Sequence, residues 1–420
     1  MRIAVATSFT YRAGGVESYL ESVLPALLER GHEIGVWHEY DEPPGSERIV
    51  PASVQLSSLG RSTSDTDAAL DAMARWHPDV IFLQGLTNVA LELRLLPVAP
   101  LVTFLHAYNG TCISGTKLRL RPTPAPCTRP LGVGCLVQYL PRGCGGWSPV
   151  TMVTMYAMQR QRQGLLRSCA AVATLSEHMR NECVAQGVPS DRVVHLPAFV
   201  TSAGGSSVES GATHATAGPH EGRTWHLGFV GRLEQLKGAR LLIEALARVS
   251  PALRRNLRTT IVGDGHERAR CEEAASRMTR DGLDIRFAGW LPASEISAFF
   301  ATLDLLVVPS IWPEPLGLVG LEAAAAGVPA LAFDVGAIHE WLSDGVTGHL
   351  IREPASADAL ARGLDACLAD PARLARWGAA AREGSLRRTV GPHASALELV
   401  LGQAAHLQPA KLSEAAVVHA

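Results

Sequence analysis

The chain has 420 residues, 47% hydrophobic and 19% charged, with a formal net charge of −2 and a sequence pI near 6.7. That length exceeds what one core usually fills, so two domains are expected, and the balanced charge offers no global basic footprint for nucleic acid. The apolar run 315–338 is broken by Glu322, Pro329 and Asp334, and reads as a buried strand–helix–strand passage and not a membrane span.

In chain order, Arg2–Ser8 reads as a strand and Val16–Arg30 as a helix stopped by Gly31. Strands follow at Glu33–His38, Asp79–Leu83, Leu101–Phe104 and Ala170–Thr174, the last leading into a helix start at Ser176. The opening residues lack a signal-peptide core or cleavage site, which favours a cytoplasmic location. Short apolar strands alternating with helices predict an α/β fold with a parallel sheet covered on both faces. Residues 201–224, rich in Gly, Ser, Ala and Thr without periodicity, read as a flexible linker. The pattern restarts at Trp225, with a strand Leu227–Val230, a loop 231–238 and a helix Ala239–Leu246, and it runs to about residue 370. Residues 371–406 read as helical, and the chain from Gln408 as a mobile tail. The expected organisation is a first domain 1–200 with an insertion 107–150, the linker 201–224, a second domain 225–390, and a terminal helix and tail 391–420.

The second half concentrates the chemistry. Between Pro309 and Pro329 two carboxylates, Glu314 and Glu322, stand eight positions apart, one in a Pro/Gly loop and one early in an Ala-rich helix. The segment around Glu322 is too apolar for a surface helix, so its carboxylate is expected to be buried and to need a partner. The intervening Leu316-Gly317-Leu318 would present backbone N–H groups at a helix N-terminus, which suits an anion. Arg232 and Lys237 lie in a strand-to-helix loop, where open α/β sheets place their ligands. Arg232 can grip a phosphate with a planar fork and Lys237 can approach as a compact charge. Only Lys117, Lys237 and Lys411 are lysines, so Lys237 is poorly explained as surface decoration. Carboxylate acceptors flanking an anion cradle point to a ligand that is part sugar and part phosphate. The plainer readings are a carboxylate complementing its own helix dipole for Glu322, a turn glutamate for Glu314 and a surface pair for Arg232 and Lys237.

Gly231-Arg232, Lys237-Gly238, Val262-Gly-Asp-Gly265, Phe287-Ala-Gly289, Glu314-x7-Glu322, Gly336-Ala-Ile-His-Glu340 and Asp344-Gly-Val-Thr-Gly348 occur in the order and spacing of one enzyme family. The chain resembles the retaining glycosyltransferases of family 4 (group 1), most specifically over 226–350. The N-terminal half agrees through the Gly14-Gly15-Val-Glu17 turn and the Thr103–His106 strand end. The resemblance implies two doubly wound, Rossmann-like domains facing a cleft, the GT-B architecture, with the last helix crossing back onto the first domain. It implies a nucleotide-sugar co-substrate, a UDP-sugar ahead of a GDP-sugar, and no catalytic metal. It assigns the ribose hydroxyls to Glu322, the donor sugar and reacting centre to Glu314, the diphosphate to Arg232 and Lys237 with Gly317 and Leu318, and close approach to the phosphates to Gly15. His106 would lie beside the transferred sugar; the family usually follows that histidine with an acidic residue, and this chain has Ala107. The implied acceptor is a glycan, a lipid-linked molecule or a small molecule, with no nucleic acid as partner. A nucleotide-sugar epimerase or hydrolase and a non-catalytic sugar-nucleotide-binding subunit of a polysaccharide assembly complex are the rivals.

The insertion 107–150 carries Cys112, Cys127, Cys135 and Cys144 among prolines, glycines and arginines. A loop with so little apolar content should be unable to order itself by burial, which points to a structural zinc; disulfides, unlinked thiols and an iron–sulfur cluster stay open. The same insertion is basic through Lys117, Arg119, Arg121, Arg129 and Arg142. Peripheral contact with anionic headgroups at the inner membrane face is the functional reading, and a solvated loop the plainer one.

Overall fold

Short apolar runs become strands buried at every position, as Val80–Leu83, Leu101–Phe104 and Ala171–Thr174 do, because helices cover both faces of a parallel sheet. The computed structural model describes residues 1–12, 14–60, 63–200, 223–280 and 282–410. Residues 201–222 of the expected linker and 411–420 of the expected tail lie outside them. The chain divides into one unit of Met1–Arg121, Cys127–Thr201 and Val390–Ala420, and a second of Pro122–Pro126 and Ser202–Thr389.

The strands of the first half are β1 (Arg2–Thr7), β2 (Glu33–His38), β3 (Gln55–Ser58), β4 (Val80–Leu83), β5 (Leu101–Phe104), the short β6 (Leu118–Arg119) and β7 (Ala125–Pro126), β8 (Ala171–Thr174) and β9 (Val193–His195). Seven of them form a parallel sheet in the order β3-β2-β1-β4-β5-β8-β9. The second half contributes β10 (Trp225–Val230), β11 (Leu257–Val262), β12 (Asp284–Gly289), β13 (Leu305–Val308), β14 (Ala330–Phe333) and β15 (Gly348–Ile351). These are parallel in the order β12-β11-β10-β13-β14-β15. Each sheet reverses its direction of growth beside its first strand, so loops after β1 and β4, and after β10 and β13, diverge and leave a crevice at the strands' carboxyl ends. The second core packs Leu227, Phe229, Ile261, Leu305 and Val307 of the sheet against Ile243 and Leu246 of the helix Ala239–Leu246.

The helix Val390–Ala405 belongs to the first unit and is pinned there by polar contacts. Glu398 pairs with Arg30 at 3.3 Å and His32 at 3.0 Å. His393 is fully buried; its Nδ1 donates to the Pro197 carbonyl at 2.8 Å, so its Nε2 accepts from the Tyr19 hydroxyl at 2.9 Å. Burial pushes His393 down to about 4, and burial followed by the charge of His393 pushes His106 down to about 3. In the unfolded chain both return to about 6.5. Below that pH the unfolded chain takes up protons that the folded one refuses. Stability is therefore expected to fall as pH drops from about 6.5 toward 4, by up to about 1.4 kcal/mol per pH unit for each histidine. Melting at several pH values between neutral and 5 checks this, and His393→Gln should remove close to half of the two histidines' contribution to the slope.

The insertion is held by contacts beyond its cysteines. Among the described residues no group of three or more His, Cys, Asp or Glu side chains is arranged to hold a metal ion, and Cys112, Cys127, Cys135 and Cys144 are free thiols. Cys112 Sγ accepts the Lys117 N–H at 3.3 Å, while the thiols of Cys135 and Cys144 are directed at the carbonyls of Pro130 and Gln138. Burial, aided by the other three cysteines, pushes the Cys144 thiol up to about 11. The staple is Lys117, which the sequence placed on a basic surface. It is 2% exposed, with φ at +51°, and its ammonium reaches Glu182 at 2.7 Å and the Arg129 carbonyl at 2.6 Å. Ile113, Leu131 and Tyr139 add a small apolar core.

Candidate functional site

The second sheet's switch point gathers the charged residues. Loops 231–238 and 309–317 leave β10 and β13, and glycine lets them touch. Gly238 has φ +73°, and a Cβ there would stand 2.0 Å from the Pro309 carbonyl oxygen. Beside it the Ile311 N–H donates to the Leu236 carbonyl at 2.9 Å. Lys237 thereby reaches Glu314, its Nζ donating to the two carboxylate oxygens at 2.8 and 3.0 Å. The Ser310 hydroxyl donates to Oε1 at 2.5 Å.

Glu314 is only 3% exposed, whereas the Lys237 side chain keeps 24% of its surface. The carboxylate is thus spent inward, while the lysine side chain keeps part of its surface open. Burial of Glu314 is tolerable because it is paired and hydrogen-bonded. Trp312 lies under Nζ with its ring centroid 5.2 Å away and is itself buried. On the far side, Gly336 at φ +64° lies so close that a Cβ would meet the Glu314 backbone at 2.3 and 2.4 Å, and Ala337 N–H donates to the Glu314 carbonyl at 2.8 Å.

The helix Leu318–Ala325 starts at Gly317, φ +91°, with no side-chain cap on its first N–H groups. Trp341 fixes this turn, its Nε1 donating to the Leu316 carbonyl at 2.7 Å. An uncapped helix start next to an ammonium is a place for an anion. Glu322 lies one turn on. It is half-buried, not enclosed, since only Gly320, Leu321 and Ala323 of that helix are buried. Alanine favours helix without demanding depth, so the apolar composition overstated the burial. Arg232 is set apart from this cluster; its side chain is 62% exposed and pairs with Glu234 at 2.9 Å. Asp264 is a turn residue, and the glycines around it bring the neighbouring loop under 231–233: a Cβ at Gly263 would meet the Gly231 carbonyl at 2.0 Å.

In the first unit, Gly15 opens the helix Gly15–Glu29 without a side-chain cap, and a Cβ there would meet nothing within 4 Å. Burial raises the carboxyl of Glu17 in that first turn. His106 follows β5, half-buried, its Nε2 donating to Gln84 Oε1 at 2.9 Å and its ring against Phe104 and Tyr19. With its proton affinity so depressed, His106 is neutral at physiological pH. The sequence reading missed two buried carboxylates that set the loop after β4. Glu39 accepts from Ser8, Thr87 and Asn88 at 2.7–3.0 Å, and Glu92 accepts the Leu86 N–H at 2.7 Å and pairs with the buried Arg162 at 3.1 Å. Burial raises Glu92, while Arg162 opposes the shift. For Glu92 the only sequence signal is a charge inside an apolar segment, and Glu39, close to Asp41 and Glu42, carries none.

Residues 13–202 match the family described as Glycosyltransferase Family 4, and residues 215–384 the one described as Glycosyl transferases group 1. A 2-deoxystreptamine glucosyltransferase of Streptomyces kanamyceticus is 38% identical over 35% of this chain and 37% of its own length. The chain spans less than two-fifths of the length of the first curated relatives it matches. A GDP-mannose-dependent alpha-(1-6)-phosphatidylinositol monomannoside mannosyltransferase of Mycolicibacterium smegmatis is 27% identical over 91% of this chain and 93% of its own. Among solved structures, Anabaena HepE in complex with UDP superposes with a TM-score of 0.66 at 18% identity, covering 96% of this chain and 100% of that one.

Proposed function

The chain belongs to the family 4, group 1 glycosyltransferases and has their GT-B fold, and on that premise we propose that it moves a sugar from a nucleotide-sugar donor to an acceptor with retention of configuration. The observation that carries this reading is the Lys237–Glu314 pair beside the uncapped start of Leu318–Ala325, at the switch point of the second sheet. The donor diphosphate would take the open side of Lys237 and the N–H groups at Gly317 and Leu318, with Arg232 swinging from Glu234 to join them. Glu322 would accept from the ribose hydroxyls, and Gly15 would approach the phosphates.

Negative charge grows on the diphosphate as the sugar bond breaks, so a fixed ammonium binds the transition state better than the ground state. Glu314, held by Lys237 and Ser310, would position that ammonium against the reacting centre and is not free as a nucleophile. His106, neutral and weakly basic, would serve as a hydrogen-bonding group beside the sugar and not as a general base. The departing phosphate is then the base for same-face attack. A UDP-sugar is the favoured donor; the Anabaena structure holds UDP, while the Mycolicibacterium relative is GDP-mannose-dependent. The acceptor is a glycan, a lipid-linked molecule or a small molecule, as the two relatives' acceptors, 2-deoxystreptamine and a phosphatidylinositol monomannoside, illustrate. No helix among the described residues is long and apolar enough to cross a membrane, and a cytoplasmic site of action is part of the proposal.

Proton NMR of the first product formed from an α-linked donor tests the reading. An α-linked product is expected. A β-linked product, or a sugar trapped covalently on the protein, would overturn the mechanism. Donor consumption with no acceptor-dependent product would favour a hydrolase or epimerase.

A further inference from the structure

From Leu93 to Ser176 the chain contains no Asp or Glu, yet it carries eight arginines and Lys117. In a protein with a net charge of −2 this is a strong local excess. Part of it is neutralised: Lys117 pairs with Glu182 and Arg162 with Glu92 inside the fold, and Arg94 with Asp67 at the surface. Arg121 and Arg129 remain exposed and Arg142 partly so, and none of the three has an acidic partner among the described residues.

Large apolar side chains stand out of the same segment. Val133, Val137, Trp147, Val150 and Val153 are 55–76% exposed. They are five of the twelve exposed large apolar side chains among the described residues, gathered within 133–153. Val133 and Val137 lie at the start and on the outer side of the helix Gly134–Arg142, Val150 and Val153 on the helix Pro149–Ser168, and Trp147 in the turn between. The two helices use other side chains to pack: Leu136 and Leu140 meet Met152, Met155 and Tyr156 around Tyr139. The valines are therefore left over after the insertion's own core is satisfied. The Arg121 guanidinium lies 4.3 Å from the Trp147 ring centroid, so cation and aromatic present together.

We propose that this insertion docks the protein on an anionic lipid bilayer, with Trp147 and the four valines entering the interfacial layer and Arg121, Arg129 and Arg142 meeting headgroup phosphates. A solvated loop has no use for five outward apolar side chains, and such a concentration within 133–153 marks a contact surface. The surrounding charge selects the partner: tryptophan prefers the membrane–water boundary, and clustered arginines without acids favour anionic lipid. The inference rests on the surface chemistry of the first unit and is independent of the donor reading.

Co-sedimentation of the full chain with phosphatidylcholine vesicles, with and without phosphatidylglycerol, tests it. Binding is expected only to the anionic vesicles and is expected to weaken at high salt. Combined Arg121→Gln, Arg129→Gln and Arg142→Gln should weaken it about a hundredfold, and Trp147→Ser with Val150→Ser about tenfold, on the scale of one anionic-surface contact per arginine. Unchanged melting of both variants separates loss of docking from misfolding. In the unaltered protein, brominated phosphatidylglycerol should quench tryptophan emission, and Trp147→Phe should remove most of the quenching. Absence of binding to anionic vesicles, equal binding to neutral ones, or a self-association that the Trp147 variant abolishes would each overturn the proposal.

Discussion

Replacing Lys237 with alanine should lower donor turnover by about a hundredfold to a thousandfold, the usual effect of removing one preorganised group at a developing negative charge. The same change should destabilise the fold by about 3–5 kcal/mol, because it strands a nearly buried carboxylate with one hydroxyl as its remaining side-chain donor. The two effects separate in a second variant. Glu314→Gln added to Lys237→Ala removes the uncompensated charge, so the melting temperature should recover most of its loss while turnover stays low. Melting curves and steady-state donor turnover of the single and double variants check this. Equal turnover in wild type and Lys237→Ala would mean that the ammonium serves only to neutralise Glu314.

Gly238→Ala should be at least as damaging, through backbone geometry and not charge. Its φ of +73° disfavours any side chain, and the new Cβ would stand 2.0 Å from the Pro309 carbonyl oxygen, a backbone atom that cannot rotate away. The left-handed conformation alone costs about 1–2 kcal/mol, and relief of the clash must part the two loops that bring Lys237 to Glu314. The expected result is a loss of several kcal/mol in stability, of the order seen for overpacking, together with loss of donor turnover. Gly384→Ala is the control. Its Cβ would meet nothing within 4 Å inside the helix Pro371–Ser385, so it should be neutral or stabilising by up to about 1 kcal/mol. Chemical denaturation of the two variants distinguishes them directly.

What could be read in advance follows from how local each signal is. Buried parallel strands need continuous apolar residues, so β2 and β5 were found with their observed ends, and the helix Ala239–Leu246 likewise. The edge strand β3, Gln-Leu-Ser-Ser, lacks that signature and passed unnoticed. The meeting of Lys237 with Glu314 was only half legible: both residues were singled out, but they stand 77 residues apart and their pairing depends on glycine contacts between two loops, which no local pattern encodes. Ser310 and Gly336 matter for the same reason. In the insertion four cysteines are conspicuous and one buried lysine is not. Lys117 looked like surface charge until Glu182 and the Arg129 carbonyl surrounded its ammonium. The Tyr19–His393 link, joining helices at opposite ends of the chain, carries no sequence signal beyond a histidine in an apolar helix.

Calorimetric titration of UDP, GDP, ADP and dTDP into the protein, and into Lys237→Ala and Glu322→Ala beside it, tests the central claim most directly. The account predicts that one nucleoside diphosphate, UDP first, binds at a single site, and that each variant weakens it at least tenfold, a loss of about 1.4 kcal/mol or more. If no nucleoside diphosphate binds, or both variants bind as the wild type does, the donor site is not at this switch point and the catalytic reading of the second unit fails.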